Sequence, residues 1–215
     1  MATMRVDGTP TRTIRPLANA QAVEIIDQTA LPHEYRWLRL ASLEAAAHAI
    51  GSMQVRGAPL IGVTAAYGVA LAMLQGDDDA TLLAAVATLA ATRPTAVNLR
   101  WALTRMQRCL APLPAAARAA AAWQEAARIA DEDVEQCRQI GKHGLELLRR
   151  RAGERGRLEI MTHCNAGWLA TVDHGTALAP VYAAFDAGID VHLWVSETRP
   201  RNQGLLTAWE AAQHG

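Results

Sequence analysis

The chain has no excess of charge of either sign: 21 Lys and Arg stand against 21 Asp and Glu over 215 residues. A surface for nucleic acid or an acidic membrane clusters Lys and Arg. The basic runs here, Arg149-Arg150-Arg151 and Arg199-Pro200-Arg201, are short, and the first reads as a solvated helix end where cations suit the helix dipole. Neither nucleic acid nor membrane is expected as a partner. Cysteines are scarce. Cys109, Cys137 and Cys164 are odd in number and irregularly spaced, which excludes a disulfide framework. Cys-x-x-Cys and His-x-x-x-His spacings are absent, so no metal is expected. The start, Met1-Ala2-Thr3-Met4-Arg5-Val6-Asp7, lacks the apolar core of a signal peptide, so a reducing cytoplasm is the expected location. The one long uncharged run, residues 58–74, is at the short limit of about 17 residues for a bilayer span. It contains Pro59, Gly62, Thr64, Tyr67 and Gly68, and reads as a helix buried on all sides.

Hydrophobic residues make up 51% of the chain, enough for a real core. Three strand candidates open it: Thr13-Ile14-Arg15-Pro16-Leu17, Ala22-Val23-Glu24-Ile25-Ile26-Asp27 and Tyr35-Arg36-Trp37-Leu38-Arg39-Leu40. Ser42 is placed to cap a helix over 43–53. Helices follow at 58–75, 79–92 and 96–110, the last capped by Thr95. Trp123, Ala127, Ala130, Val134, Cys137, Gly141, Gly144 and Leu148 share one face of a long helix. Its glycines would let another element pack close, and Cys137, like Cys109, reads as core filler. At Ala152-Gly153-Glu154-Arg155-Gly156 the style changes to strand (157–162), loop, helix (176–187), strand (191–195), loop, helix (204–213). Strand–helix alternation predicts a parallel sheet. The fold class is therefore α/β: a β-rich and helical part over 1–152, then the start of a parallel α/β domain over 153–215. Two strands do not make a stable open sheet, so the second domain reads as truncated.

Four segments crowd polar and small residues together. Thr162-His163-Cys164-Asn165-Ala166-Gly167 puts a thiol where a strand hands over to a loop, the sheet edge at which open α/β folds bind ligands. His163 and Asn165 are a costly pair to bury beside a merely structural thiol. Ser196-Glu197-Thr198-Arg199-Pro200-Arg201-Asn202-Gln203-Gly204 follows the next strand at the same edge. Earlier, Met53-Gln54-Val55-Arg56-Gly57-Ala58-Pro59 offers a guanidinium and free amides at a helix start, an anion corner. Arg93-Pro94-Thr95-Ala96-Val97-Asn98-Leu99 repeats the idea. Read alone, each is also an ordinary turn or cap. Together they suit a small phosphorylated polyol, with arginines for phosphate and amides such as Gln203 and Asn165 for hydroxyls. The thiol would serve as an acid/base group, provided that positive neighbours lower its pKa.

With these segments assembled, the chain resembles the methylthioribose-1-phosphate isomerase family. Ile26-Asp27-Gln28-Thr29-Ala30-Leu31-Pro32, Val55-Arg56-Gly57-Ala58-Pro59-Leu60-Ile61-Gly62-Val63, Ala65-Ala66-Tyr67-Gly68, and the Arg93, Thr162 and Glu197 segments carry the likeness. The resemblance implies a fold, an N-terminal domain of small antiparallel sheet and helices over 1–152 and then the start of a Rossmann-like domain over 153–215, and an activity, that of an aldose–ketose isomerase, an intramolecular oxidoreductase of methionine salvage. Its reaction converts 5-methylthioribose 1-phosphate to 5-methylthioribulose 1-phosphate, without cofactor, in a homodimer when full length. It implies Cys164 as catalytic residue and Arg56, Gly57, Ala58, Arg93 and Gln203 as substrate-binding residues. The family's catalytic aspartate and an Asn-Lys pair lie in segments absent here, and neither Asp27 nor Asp173 matches them. The chain is thus expected to be an inactive N-terminal piece. Two alternatives share the scaffold: a ribose-1,5-bisphosphate isomerase, in which a second phosphate replaces the thioether (Trp168 and Met53 being candidate thioether neighbours), and a non-catalytic regulatory subunit that binds sugar phosphates.

Overall fold

The computed structural model describes residues 3–18, 20–198 and 201–215. In chain order it runs β1 (Arg5–Val6), β2 (Thr9–Pro10), β3 (Ile14–Pro16), β4 (Val23–Ile26), β5 (Trp37–Leu40), α1 (Leu43–Gly51), α2 (Ala58–Met73), α3 (Asp79–Thr92), α4 (Val97–Leu110), α5 (Ala115–Arg155), β6 (Leu158–His163), α6 (Ala179–Asp186), β7 (Val191–Ser196) and α7 (Gln203–His214). The fold is mixed α/β, as the sequence implies. No described helix is long and apolar enough to cross a membrane.

Contacts divide the chain into two compact units. A helical unit comprises Ile14–Ala30 and Glu34–Glu132; a discontinuous unit comprises Met1–Thr13, Leu31–His33 and Asp133–Gly215. This division parts within α5, whereas the boundary at 152/153 is one of sequence style and falls just before the end of that helix.

In the helical unit, β3, β4 and β5 form an antiparallel sheet in that order, with Ile14 opposite Ile25 and Ile25 opposite Leu38. Ser42 caps α1 as expected, its hydroxyl accepting from Ala45 N at 3.2 Å. Every residue of α2 from Leu60 to Met73 is buried, which explains its uniform apolarity. Thr95 does not cap α4. The N-cap is Ala96, with no side-chain hydrogen bond, because the chain enters the helix one residue later than the Thr95 hydroxyl requires. On α5, Ala130, Cys137 and Gly141 of the predicted stripe are buried, but Ala122, Ala126 and Ile129 are buried as well. The buried face is therefore broader than the predicted seam. Arg105 of α4 ties onto α5 through Glu125 and Glu132.

The expected break at 152–156 is absent down to Arg155, because α5 continues through that residue and ends at Gly156, whose φ is +78°. In the discontinuous unit, β6 and β7 pair in parallel, from Leu158 opposite Val191 to His163 opposite Ser196. Gly144 lets α6 approach α5: a β-carbon there would lie 2.3 Å from Pro180 Cγ. The helix expected from 176 begins at Ala179, after a single 3₁₀ turn at Trp168–Ala170. A hairpin not anticipated, β1–β2, turns on Asp7 and Gly8, both at positive φ. It joins this unit through Met4 N to Asp173 Oδ1 (3.1 Å) and Asp7 N to Gln213 Oε1 (3.0 Å).

Candidate active site

Parallel strands end side by side, so the loop leaving β6 and the loop leaving β7 face each other at one sheet edge. Cys164 is the first residue beyond β6, and its N–H donates to Ser196 O at 3.4 Å. It is partly exposed and takes φ +67°, the left-handed region that a β-carbon disfavours. Its Sγ donates to Gln203 Oε1 at 2.6 Å.

Helix α7 presents Gln203, Thr207 and Glu210 on one face, at i, i+4 and i+7. All three reach the loop after β6. Thr207 Oγ1 donates to the Cys164 carbonyl (2.9 Å) and accepts from Asn165 Nδ2 (3.0 Å). Glu210, fully buried, accepts from Leu169 N at 2.9 Å. Its carboxylate lies so close over Gly167 that a β-carbon there would sit 1.4 Å from Oε1. Sequence reasoning picked out Gln203 and Asn165 and missed Thr207 and Glu210. The Gln203-x-x-x-Thr207-x-x-Glu210 spacing was the available signal.

The loop before α7 is held by Glu197, whose Oε1 accepts from Gly204 N (2.9 Å) and Thr198 N (2.5 Å). These amides keep its carboxyl below the ordinary range. Arg199 and Pro200 of this loop lie outside the described residues, as do Met1 and Ala2 of the N-terminal reading. His163 is not buried beside the thiol. It is exposed, because it points to the opposite face of β6, where its Nδ1 meets Ser196 Oγ at 3.0 Å. Asn165 is buried, as expected.

Arg56, Gly57, Ala58 and Arg93 belong to the helical unit. Gly57 is the N-cap of α2 at φ +84°, a conformation suited to glycine, and Ala58 and Pro59 open the helix. Arg56 is buried, 6% exposed. Arg93 closes α3; its Nη1 is buried with no hydrogen-bond partner among the described residues. Gly62, one turn into α2, packs on the carbonyl of Asn98 at the start of α4. The Arg56 and Arg93 segments thus lead to adjoining helix starts within one unit. Such starts, beside the buried Arg56 and the half-buried Arg93, are chemistry for an anion.

Burial of Asp27 would raise its pKa, but Thr29 and Arg36 outweigh it and hold the carboxyl below the usual range; Arg36 Nε and Nη2 both donate to Oδ2, at 3.0 and 2.6 Å. Burial pushes the Cys137 thiol up to about 12, with Asp133 adding to it, so it is inert core. Cys109 is half-buried and also raised by burial. Among the described residues no cluster of His, Cys, Asp and Glu could hold a metal ion.

Residues 54–215 match a family model described as the initiation factor 2 subunit family. A methylthioribose-1-phosphate isomerase from Dechloromonas aromatica (strain RCB) is 64% identical over 99% of this chain and 59% of its own length. Another, from Acidiphilium cryptum (strain JF-5), is 62% identical over 99% of this chain and 58% of its own. Among solved structures, 5-methylthioribose 1-phosphate isomerase from Pyrococcus horikoshii OT3 is similar at TM-score 0.82 and 36% identity, over 95% of this chain and 58% of that one. The translation initiation factor eIF-2B subunit delta from A. fulgidus is similar at TM-score 0.81 and 37% identity, over 94% and 59%. The chain spans about three-fifths of the length of these curated relatives.

Proposed function

The chain belongs to the initiation factor 2 subunit family, and we propose that within it this sequence is part of an isomerase converting 5-methylthioribose 1-phosphate to 5-methylthioribulose 1-phosphate. The observation that carries the reading is Cys164. It is a partly exposed thiol at the carboxyl ends of two parallel strands, held in a left-handed conformation against Gln203. The identity to curated relatives of that name supports it.

In this reading the thiol moves a proton between C2 and C1 of the opened sugar. The hydrogen leaving C2 is replaced at C1, the C2 hydroxyl becomes the carbonyl as it gives up its proton, and the oxygen on C4 freed by ring opening takes one up, so the atoms balance within the substrate. Gln203, which receives the thiol's hydrogen bond, orients a substrate hydroxyl. Arg56, Gly57, Ala58 and Arg93 bind the phosphorylated end through guanidinium and helix-start amides. The protein works in methionine salvage, in the cytoplasm, as a homodimer.

A second reading rests on the likeness to the initiation-factor subunit: binding of a sugar phosphate without turnover. One experiment separates the two. In a chimera, residues 1–215 replace the matching part of the Dechloromonas aromatica relative, and ketose formation is followed from 5-methylthioribose 1-phosphate and from ribose 1,5-bisphosphate. Turnover of the thioether substrate, lost by at least about 10²-fold in Cys164→Ser with binding retained, is the expected result. Binding without turnover supports the regulatory reading. Preference for the bisphosphate replaces the substrate.

A further inference from the structure

The geometry points to Thr207 as the residue that positions Cys164, by fixing the backbone on which the thiol stands. This deepens the catalytic reading of Cys164 and rests on it for function, but the geometry itself stands independently. Cys164 has a β-carbon and a left-handed φ of +67°. Such a residue persists only where its surroundings over-determine it. Two backbone anchors are present. The Cys164 N–H reaches Ser196 O at 3.4 Å, a long bond. The Cys164 carbonyl accepts from Thr207 Oγ1 at 2.9 Å, a bond of ordinary length.

The Thr207 hydroxyl is fully buried and is used in both directions, because Asn165 Nδ2 donates to it at 3.0 Å. With one proton to give, a hydroxyl that accepts from Asn165 must direct that proton elsewhere, and the Cys164 carbonyl is the acceptor in line. The relay Asn165 to Thr207 to Cys164 O therefore has one sense. Thr207 also lies one helical turn beyond Gln203, the acceptor of the thiol. A single helix face thus grips Cys164 at its carbonyl and at its sulfur. Losing the hydroxyl leaves the part-buried carbonyl and the buried Asn165 amide without that partner and frees the backbone to leave the left-handed region.

The test is Thr207→Val, which keeps the shape and removes the hydroxyl, beside Thr207→Ser, which keeps the hydroxyl. Iodoacetamide labelling at pH 7, resolved by peptide mass spectrometry, reads Cys164 separately from Cys109 and Cys137. The valine variant is expected to label Cys164 at least three-fold faster, as the sulfur swings off Gln203, while serine restores the original rate. A merely structural role lowers the melting temperature without a serine-reversible change confined to Cys164. Asn165→Ala enters the relay from its other end and carries the test if the valine variant does not fold. Equal Cys164 labelling in all folded variants overturns the proposal. In the chimera, the valine change is expected to lower kcat at least ten-fold with KM within about three-fold. If labelling responds while the unmodified chimera shows no turnover, the positioning role stands and the isomerase reading falls.

Discussion

Around Cys164, small residues are set by what presses on them. Gly167 has an ordinary negative φ, so backbone freedom does not explain it. The Glu210 carboxylate does, lying where a β-carbon would go. Gly167→Ala is expected to destabilise by about 3 kcal/mol or more, because the acid that must move is also the acceptor for Leu169 N; thermal melting checks this. The sequence placed Cys164 correctly at a strand end, since strand–loop alternation is a local signal, and put Gln203 in the adjoining loop, one residue short of the helix that begins with it. It did not show the left-handed turn at Cys164 or the outward aim of His163. The first depends on a hydroxyl 43 positions away. The second depends on strand parity, which a one-residue shift of register inverts.

Helices were the most legible elements. The uncharged run of α2 and the periodic α5 wrote their burial into residue type, and Ser42 announced the start of α1. The β1–β2 hairpin carried its own Asp7-Gly8 turn signal, overlooked because its strands are two residues each. The interior charge of α5 was not legible. Asp133 accepts from Val172 N at 2.8 Å, yet burial, joined by the charge of Asp173, pushes its carboxyl up to about 6. Its pKa is therefore higher folded than unfolded. The native state binds more protons between about pH 4 and 6, and stability from this group is lost as pH rises through that window. Asp133→Asn removes the titration and keeps an acceptor for Val172. The variant is expected to gain on the parent by about 2–3 kcal/mol between pH 4 and pH 7, read as the difference in denaturant midpoints at each pH.

At the scale of the whole molecule, the antiparallel and helical parts, and the parallel pair after them, were foreseeable from the switch in periodicity near residue 156. The grouping of the first thirteen residues with the last third was not, because no local pattern records it. Parallel strands are ordinarily covered on both faces. Here Met161 is 74% and Trp194 56% exposed. Among the described residues only β6 and β7 form this sheet. Met161 and Trp194 are cross-strand partners, and this exposed apolar pair, framed by Glu159, His163, His192 and Ser196 on the same face, promotes self-association. Met161→Thr with Trp194→Thr is expected to lower concentration-dependent light scattering while leaving the far-ultraviolet circular dichroism unchanged.

The hairpin at the amino terminus fastens to Asp173, and Thr13 N to the Val172 carbonyl. On a ribosome, both partners emerge about 160 residues after the strands that need them. The opening segment must therefore wait, unpaired, while the intervening helices are made and can already collapse. Fusions or affinity tags placed before residue 3 would meet the chain at a late-closing seam, and their cost would fall on the yield of folded protein during synthesis.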